Sequence, residues 1–393
     1  MNKERWQPEG ISRNVWTLGW VSFFNDVSSE MIYPLLPLFL TSVLGAGVAF
    51  VGLVEGVAES TASILKAFSG WLSDRLRKRK FLVLGGYTAS ALARPIIALA
   101  ISGWHILILR FLDRMGKGVR TSPRDALIAE STKPARTGRA FGFQRAMDHL
   151  GAVVGPLVAF FLLAALGGKY RTIFLLAAIP AIFSLLLIKW FVTEKKELRE
   201  TTATTPKLSL RPFDRRFKIF LLIIIVFTLG NSSDFFLILR AKDQGIALTH
   251  IPLLWLLLHL VKSAVSMPGG TLSDRIGRKK VIIAGWIIYG LVYLGLAACT
   301  EAYHVWLLFA VYGIYFGLTE GVEKALVADL VPGEKLGTAY GLFNFAVGIT
   351  ALPASLLMGF LWQLFGPGTA FCFGAGLGLI SALLMKILIK ERK

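Results

Sequence analysis

Of 393 residues, 55% are hydrophobic and only 17% charged, too little charge to cover a water-soluble protein of this length. The formal net charge of +19 invites a nucleic-acid partner, but the basic residues are sorted by segment. With loops assigned alternately, about 29 Lys and Arg fall on one side and about four on the other, the positive-inside asymmetry of a multi-pass membrane protein. That sorting argues against nucleic acid and turns the basic loops toward membrane lipids with anionic headgroups. The basic side holds both termini and a central linker, so these are expected in the cytoplasm and the chain in the cell inner (plasma) membrane. Met1 to Arg13 is polar and charged, with no cleavable signal peptide visible.

In chain order, twelve apolar stretches are predicted as helices: 14–41, 47–73, 81–102, 104–130, 138–166 and 171–192, then 217–243, 250–273, 280–300, 304–331, 337–363 and 368–389. Each is long enough to cross a hydrocarbon core of about 30 Å. The expected fold class is all-α and integral to the membrane. Residues 1–192 form one six-helix bundle, 193–216 a polar cytoplasmic linker, and 217–393 a second bundle. Cys299 and Cys372 lie in separate apolar stretches, so no disulfide is implied.

The first stretch carries Asn25, Asp26, Ser28, Ser29 and Glu30 ahead of Tyr33-Pro34. Asp26 and Glu30 sit one turn apart on one face. Two carboxylates in low dielectric resist simultaneous ionisation, as a proton carrier requires. The second stretch adds Glu55 and Glu59, also one turn apart. It ends in Gly70-Trp-Leu-Ser-Asp74-Arg75 before the basic run Arg77 to Lys80, and Gly270-Thr-Leu-Ser-Asp274-Arg275 precedes Arg278 to Lys280 later in the chain. The fourth stretch places Arg110, Asp113, Arg114, Lys117, Arg120, Arg124 and Asp125 within sixteen residues. A charge at the bilayer centre costs roughly 2.5–3.5 kcal/mol, so these groups must face protein, water or one another. Arg110, Arg114 and Lys117 share a face at i, i+4 and i+7. Either Asp113, Asp125, Glu130 and Asp148 neutralise the cations internally, or the surplus lines a positive cavity suited to an anion. In the fifth stretch Arg145, Asp148 and His149 stand within reach of one another, followed by Gly151-Ala-Val-Val-Gly155-Pro156. Small residues four apart admit a neighbouring helix, and the proline permits a bend.

The second half repeats the first. Ser232-Ser233-Asp234 answers Ser28-Ser29-Glu30, Lys324-Ala-Leu-Val-Ala-Asp329 answers Asp125-Ala-Leu-Ile-Ala-Glu130, and Gly337-Thr-Ala-Tyr-Gly341 answers Gly138-Arg-Ala-Phe-Gly142. Asn231 precedes that polar run. His259 and Lys262 are three apart, and Tyr312, Tyr315, Glu320, Glu323 and Lys324 cluster in the tenth stretch. Those aromatics either stack on an organic substrate or pack against neighbours and lipid.

The paired Gly, Leu, Asp, Arg and basic cluster resembles the signature loop of the major facilitator superfamily, with Arg77 where the family usually has Gly. The resemblance implies twelve helices in two pseudo-symmetric bundles that work by alternating access. It assigns gating to Gly70, Asp74, Arg75, Asp125, Asp274 and Arg275, with Asp125 as the partner proposed for Arg75. Arg114-Met-Gly-Lys117-Gly118 resembles the family's fourth-helix motif, with Lys117 in place of Gln; in relatives that Arg is linked to proton transfer. Gly151, Gly155 and Pro156 resemble the antiporter motif, with Ala159 where a further glycine is usual, and join the gating set. Proton coupling then falls to Asp26, Glu30, Glu55, Glu59, Arg114 and Asp234. Substrate binding falls to Asn25, Tyr33, Arg110, Lys117, Asn231, His259, Lys262, Tyr315 and Glu320.

The sequence holds no Gly-x-x-x-x-Gly-Lys-Ser/Thr loop and no Cys/His ligand set, so neither a cofactor nor a metal is expected, and no enzymatic activity. The reading is a monomeric secondary transporter with a small-molecule substrate and protons as partners. It exports an amphipathic solute or drug by proton exchange. Proton-linked uptake or exchange of an organic anion is the alternative, and a non-pumping receptor or lipid scramblase the alternative of another class.

Overall fold

Long apolar runs punctuated by caps and glycines set the architecture of the computed structural model, which describes residues 11–76, 78–132, 137–194, 210–332 and 336–389. The side chains of residues 67, 70, 71, 74, 75, 137–139, 142, 336 and 337 also fall outside the described set, as does most of the predicted linker. Ser12 caps α1 (Arg13–Ile32) by accepting from the Val15 amide. The chain continues from α1 through short 3-10 and π turns to Val43, as Pro34 and Pro37 interrupt the α-helical ladder. Then follow α2 (Val48–Leu76), α3 (Arg79–Ile96), α4 (Gly103–Glu130), α5 (Thr137–Ala165) and α6 (Tyr170–Leu176 with Ala178–Phe191). Ser102 caps α4 by accepting from the Trp104 amide.

Asp214 opens the second set, accepting from the Phe217 amide at 2.9 Å. Its first helix is split into α7a (Arg215–Gly230) and α7b (Phe235–Asp243). Then come α8 (Ile251–Ile276), α9 (Arg278–Ala298) and α10 (Ala302–Leu330). The last stretch, Leu336–Leu388, leaves helical geometry at Gly366 (φ 85°) before Pro367, which separates α11 (336–365) from α12 (367–388). The expectation of one helix over 217–243 is corrected by the break at 231–234, where Asn, Ser, Ser and Asp favour turns over helix.

Among the described residues, nine segments are long and apolar enough to cross a membrane, the last of them spanning 51 residues. Divided at Gly366, and joined by α1 and the charge-rich α4, these fit the twelve-helix expectation. Large apolar side chains face outward, including Phe81, Leu99, Ile101 and Leu364, each about 70% exposed or more, as lipid contact demands.

The chain forms two compact units: residues 1–33 with 68–206, and residues 34–67 with 207–393. α2 therefore contributes its first two-thirds to the second unit and its end to the first. Within the second unit, Gly52, Gly56 and Gly348 let α2 and α11 approach closely: a Cβ on Gly52 would stand 2.3 Å from the Ser355 carbonyl oxygen. Ser60 Oγ donates to the Gly348 carbonyl at 2.6 Å across the same contact.

The duplication is visible in contacts. Arg79 at the start of α3 pairs with Glu130 at the end of α4, and Arg278 at the start of α9 pairs with Asp329 at the end of α10, both 51 residues apart. Lys80 donates to the Lys189 carbonyl, and Lys279 to that of Lys386. A Cβ on Gly86 would meet Arg120, and one on Gly285 would meet Thr319. Each second-half residue of the Arg–acid and glycine pairs lies 199 positions after its first-half counterpart (278 against 79, 329 against 130, 285 against 86).

Candidate functional site: a charged cluster and a tyrosine-lined cavity

In the first unit the charges of α4 converge on one carboxylate. Asp113 is 4% exposed and lies 3.3 Å from Arg94 Nε, 3.4 Å from Arg110 and 4.0 Å from Arg114. All three arginines are buried. Buried charges are tolerated only when the remaining donors find partners. Arg94 donates to the Asn25 carbonyl at 2.9 Å. Arg110 and Arg114 stand 5.7 and 6.0 Å from the ring centre of Tyr33. Arg120, one to two turns along α4, donates to Ser90 and lies 4.2 Å over the Tyr87 ring. Arg94 has no place in the sequence-based set. It is a single cation in an apolar run, and its partner lies on the next helix.

Asn25 Nδ2 donates to Asp26 Oδ1 at 2.8 Å. The backbone carrying Asp26 and Glu30 is seated on the two glycines of α5. A Cβ on Gly151 would stand 2.6 Å from the Phe23 carbonyl oxygen and 2.9 Å from Asp26 Cβ. One on Gly155 would stand 2.7 Å from Glu30 Cβ and 2.8 Å from the Val27 carbonyl oxygen. The two residues four apart on α1 thus meet the two residues four apart on α5, as small-residue helix packing predicts. Below them Gln144 donates to Ser22 and, at 2.6 Å, to Asp148, which also lies 3.7 Å from Arg145. Lys117 is half-buried on α4.

The gating residues separate. Asp125 accepts from Arg124, at 3.0 Å from Nε and 2.9 Å from a terminal guanidinium nitrogen. The side chains of residues 70, 74 and 75 lie outside the described residues, so the pairing expected between Arg75 and Asp125 is not seen. In the second copy Asp274 pairs with Arg278 at 3.0 Å while Arg275 is exposed. Gly277, at φ 99°, makes the turn there; the corresponding Arg77 is outside the described residues.

The second unit gathers its residues at the break in helix 7. Tyr312 donates to Asp234 at 2.8 Å, and Asn231 donates to Tyr315 at 3.1 Å. Tyr289 donates to the Gly230 carbonyl at 2.7 Å, satisfying an acceptor that the break frees. Tyr289, Tyr293 and Tyr312 are fully buried, with Tyr315 almost so. Beside them is a cavity of about 220 Å³ whose walls include Glu59, Asn231, Tyr315 and Glu320. Lys262 pairs with Glu320 at 2.8 Å and stands 4.5 Å from the Phe316 ring centre. Glu55 is fully buried in α2 within this unit, and His259 packs edge-on against Trp255. Glu323, which accepts from the Trp286 indole at 3.0 Å and lines the cavity, is absent from the sequence-based set. So are Tyr289 and Tyr293. Their i, i+4 spacing in α9 was the available signal.

The sequence model of the Major Facilitator Superfamily matches residues 18–261 and again 219–393. The chain belongs to the Major Facilitator Superfamily. It is 41% identical over 381 residues to an uncharacterized MFS-type transporter of Methanocaldococcus jannaschii, covering 95% of this chain and 94% of the relative. It is 28% identical over 341 residues to the multidrug resistance protein MdtG of Enterobacter lignolyticus, covering 81% and 79%. A POT family transporter solved in complex with 5-aminolevulinic acid shares the fold, with a TM-score of 0.82, 13% identity and 97% coverage of both chains. As an MFS protein this chain is a multi-pass membrane transporter of small molecules.

Proposed function

We propose that this MFS transporter exports a small amphipathic organic solute in exchange for protons. It works as a monomer in the inner membrane with both termini in the cytoplasm. Six-helix halves at 1–192 and 217–393, joined by a cytoplasmic linker, rock to give alternating access. The observation that carries the reading is the seating of Asp26 and Glu30 on Gly151 and Gly155. A carboxylate pair is costly in a membrane helix, and here the helix that bears it is fixed by the closest packing the backbone allows. Asp234, held by Tyr312 at the broken helix, supplies the corresponding carboxylate in the second half. Discontinuous helices are where transporters of this kind place substrate and coupling ions. The likeness to a multidrug resistance protein supports export of organic compounds.

The test is pH change inside everted vesicles on adding organic solutes. Substrate-driven proton movement is expected, and Asp26→Asn, Glu30→Gln or Asp234→Asn should abolish it while protein levels stay unchanged. Proton movement undiminished in all three variants would sink the reading. A second reading, proton-linked uptake or exchange of an organic anion, is favoured by the three arginines around one Asp113. It predicts responses to carboxylates and none to cationic drugs. Lipid movement without solute-driven proton flux would point to a scramblase.

A further inference from the structure

The cavity of the second unit has a chemistry of its own. Among the described residues its wall carries three carboxyl side chains, Glu59, Glu320 and Glu323, and no basic one. Lys262 engages Glu320 from outside that lining. Phe227, Tyr315 and Phe316 supply aromatic surface in the same wall. Ser232 lines it as well; the residue is 7% exposed and its hydroxyl faces that of Tyr293. A serine hydroxyl has one donor and two acceptor positions, so a ligand group or water can use the capacity that Tyr293 leaves. Asn231 stands beside it, tied to Tyr315. The volume, about 220 Å³, is below the roughly 300–1,000 Å³ of pockets for drug-sized ligands, so the occupant is compact.

We propose that this cavity is a binding site for a small organic cation, an ammonium group on a compact apolar or aromatic body. Aromatic faces attract such a cation through their quadrupoles, most strongly when it is desolvated. Carboxylates complement its charge, and Ser232 is placed to receive a polar substituent. An organic anion of the same size meets acidic groups at every turn of the wall and is rejected, because specificity comes as much from repulsion as from attraction. The proposal rests on the reading of the chain as a carrier of organic solutes and names the charge of its substrate.

The experiment is equilibrium binding to the purified full-length protein in lipid nanodiscs, with no proton gradient. The probes are benzyltrimethylammonium and benzenesulfonate. Saturable binding of the cation, at least about tenfold tighter than the anion, is expected. Glu59→Gln and Glu323→Gln should each weaken cation binding several-fold without changing the melting temperature. Equal affinity for the two probes, or preference for benzenesulfonate, overturns the proposal on the wild-type protein alone, whatever the variants do. Cation binding unaltered in both folded variants overturns it too. Because no gradient is present, loss of proton exchange in vesicles with selective cation binding intact would remove the antiport reading and leave this site standing.

Discussion

The same pair of helices has been filled in two opposite ways. In α3 and α4 the buried groups facing one another are Arg94 and Asp113, 3.3 Å apart. The positions 199 residues later, in α9 and α10, are Tyr293 and Tyr312, whose ring centres lie 6.2 Å apart. Ser90 becomes Tyr289, and Tyr87 under Arg120 becomes Trp286, stacked on Phe227 at 4.5 Å. The close glycine contact is kept in both copies. The two copies therefore share the backbone approach, one filled by an ion cluster and the other by a hydrogen-bonded aromatic one. Ions in a buried site depend steeply on their partners, whereas phenols fill volume and offer a hydroxyl at modest cost. In this helix pair the first copy is built around charge and the second around shape and weak polarity.

That difference predicts unequal sensitivity. Asp113→Asn removes the counter-charge of three buried arginines. Breaking a buried pair from one side costs about 3–5 kcal/mol, so a large fall in melting temperature in detergent and loss of transport are expected. An Asp113→Asn protein as stable as the wild type would mean that water reaches the cluster and that the two halves differ less than their residues suggest.

Packing gives the next effect. Gly155→Ala places a methyl group 2.7 Å from Glu30 Cβ and 2.8 Å from a carbonyl oxygen, with backbone on one side of the clash. Overpacking of this kind costs about 1–3 kcal/mol. Solute-driven proton movement should fall further than stability, because the displaced segment carries both carboxylates. On α2, Gly56→Ala meets backbone and side-chain atoms of Leu352 at 3.0 Å, a looser contact, and should cost less. Thermal unfolding of the two variants side by side ranks them.

The fold and the repeat were legible because they rest on long apolar runs and on copied residues, which a single chain displays directly. Asp26, Glu30, Arg110 and Arg114 could be selected for the same reason: each is a charge where the solvent is hydrocarbon. Arg94 escaped because one cation beside Pro95 carries no pattern; its role depends on Asp113, which only the packing of α3 on α4 brings near. The break at Asn231–Asp234 is written as a turn-forming run, but its likeness to Ser28–Glu30, which stays helical in α1, masks it. Tyr289 and Tyr293 carry no charge and sit in an apolar run; their places beside Gly230 and Tyr312 come only from the packing of α9 on its neighbours.

On the tyrosine side the expected cost is smaller. Tyr312→Phe keeps the ring and removes the donor to Asp234, for about 0.5–1.5 kcal/mol, a typical net hydrogen bond. Stability should change little. Proton-coupled movement should change more, since Asp234 loses the group that orients it. A Tyr312→Phe loss in stability matching Asp113→Asn would erase the distinction between a charge-filled copy and a shape-filled one.

The smallest effect is expected where the halves agree. Arg79–Glu130 and Arg278–Asp329 occupy equivalent helix ends, and their carboxylates are about half exposed (54% and 52%). Exposed pairs contribute at most about 1 kcal/mol and are screened by salt. Glu130→Gln and Asp329→Asn should therefore each lower the melting temperature slightly, by similar amounts, and less at high ionic strength. Their similarity is the informative part: the two pairs occupy equivalent helix ends with similarly exposed carboxylates, so a marked asymmetry must come from elsewhere. Asp329 shares its arginine with Asp274, 3.0 Å away, which can hold Arg278 when Asp329 is neutralised. A smaller loss in Asp329→Asn than in Glu130→Gln, restored to parity by adding Asp274→Asn, would assign that asymmetry to the second signature loop.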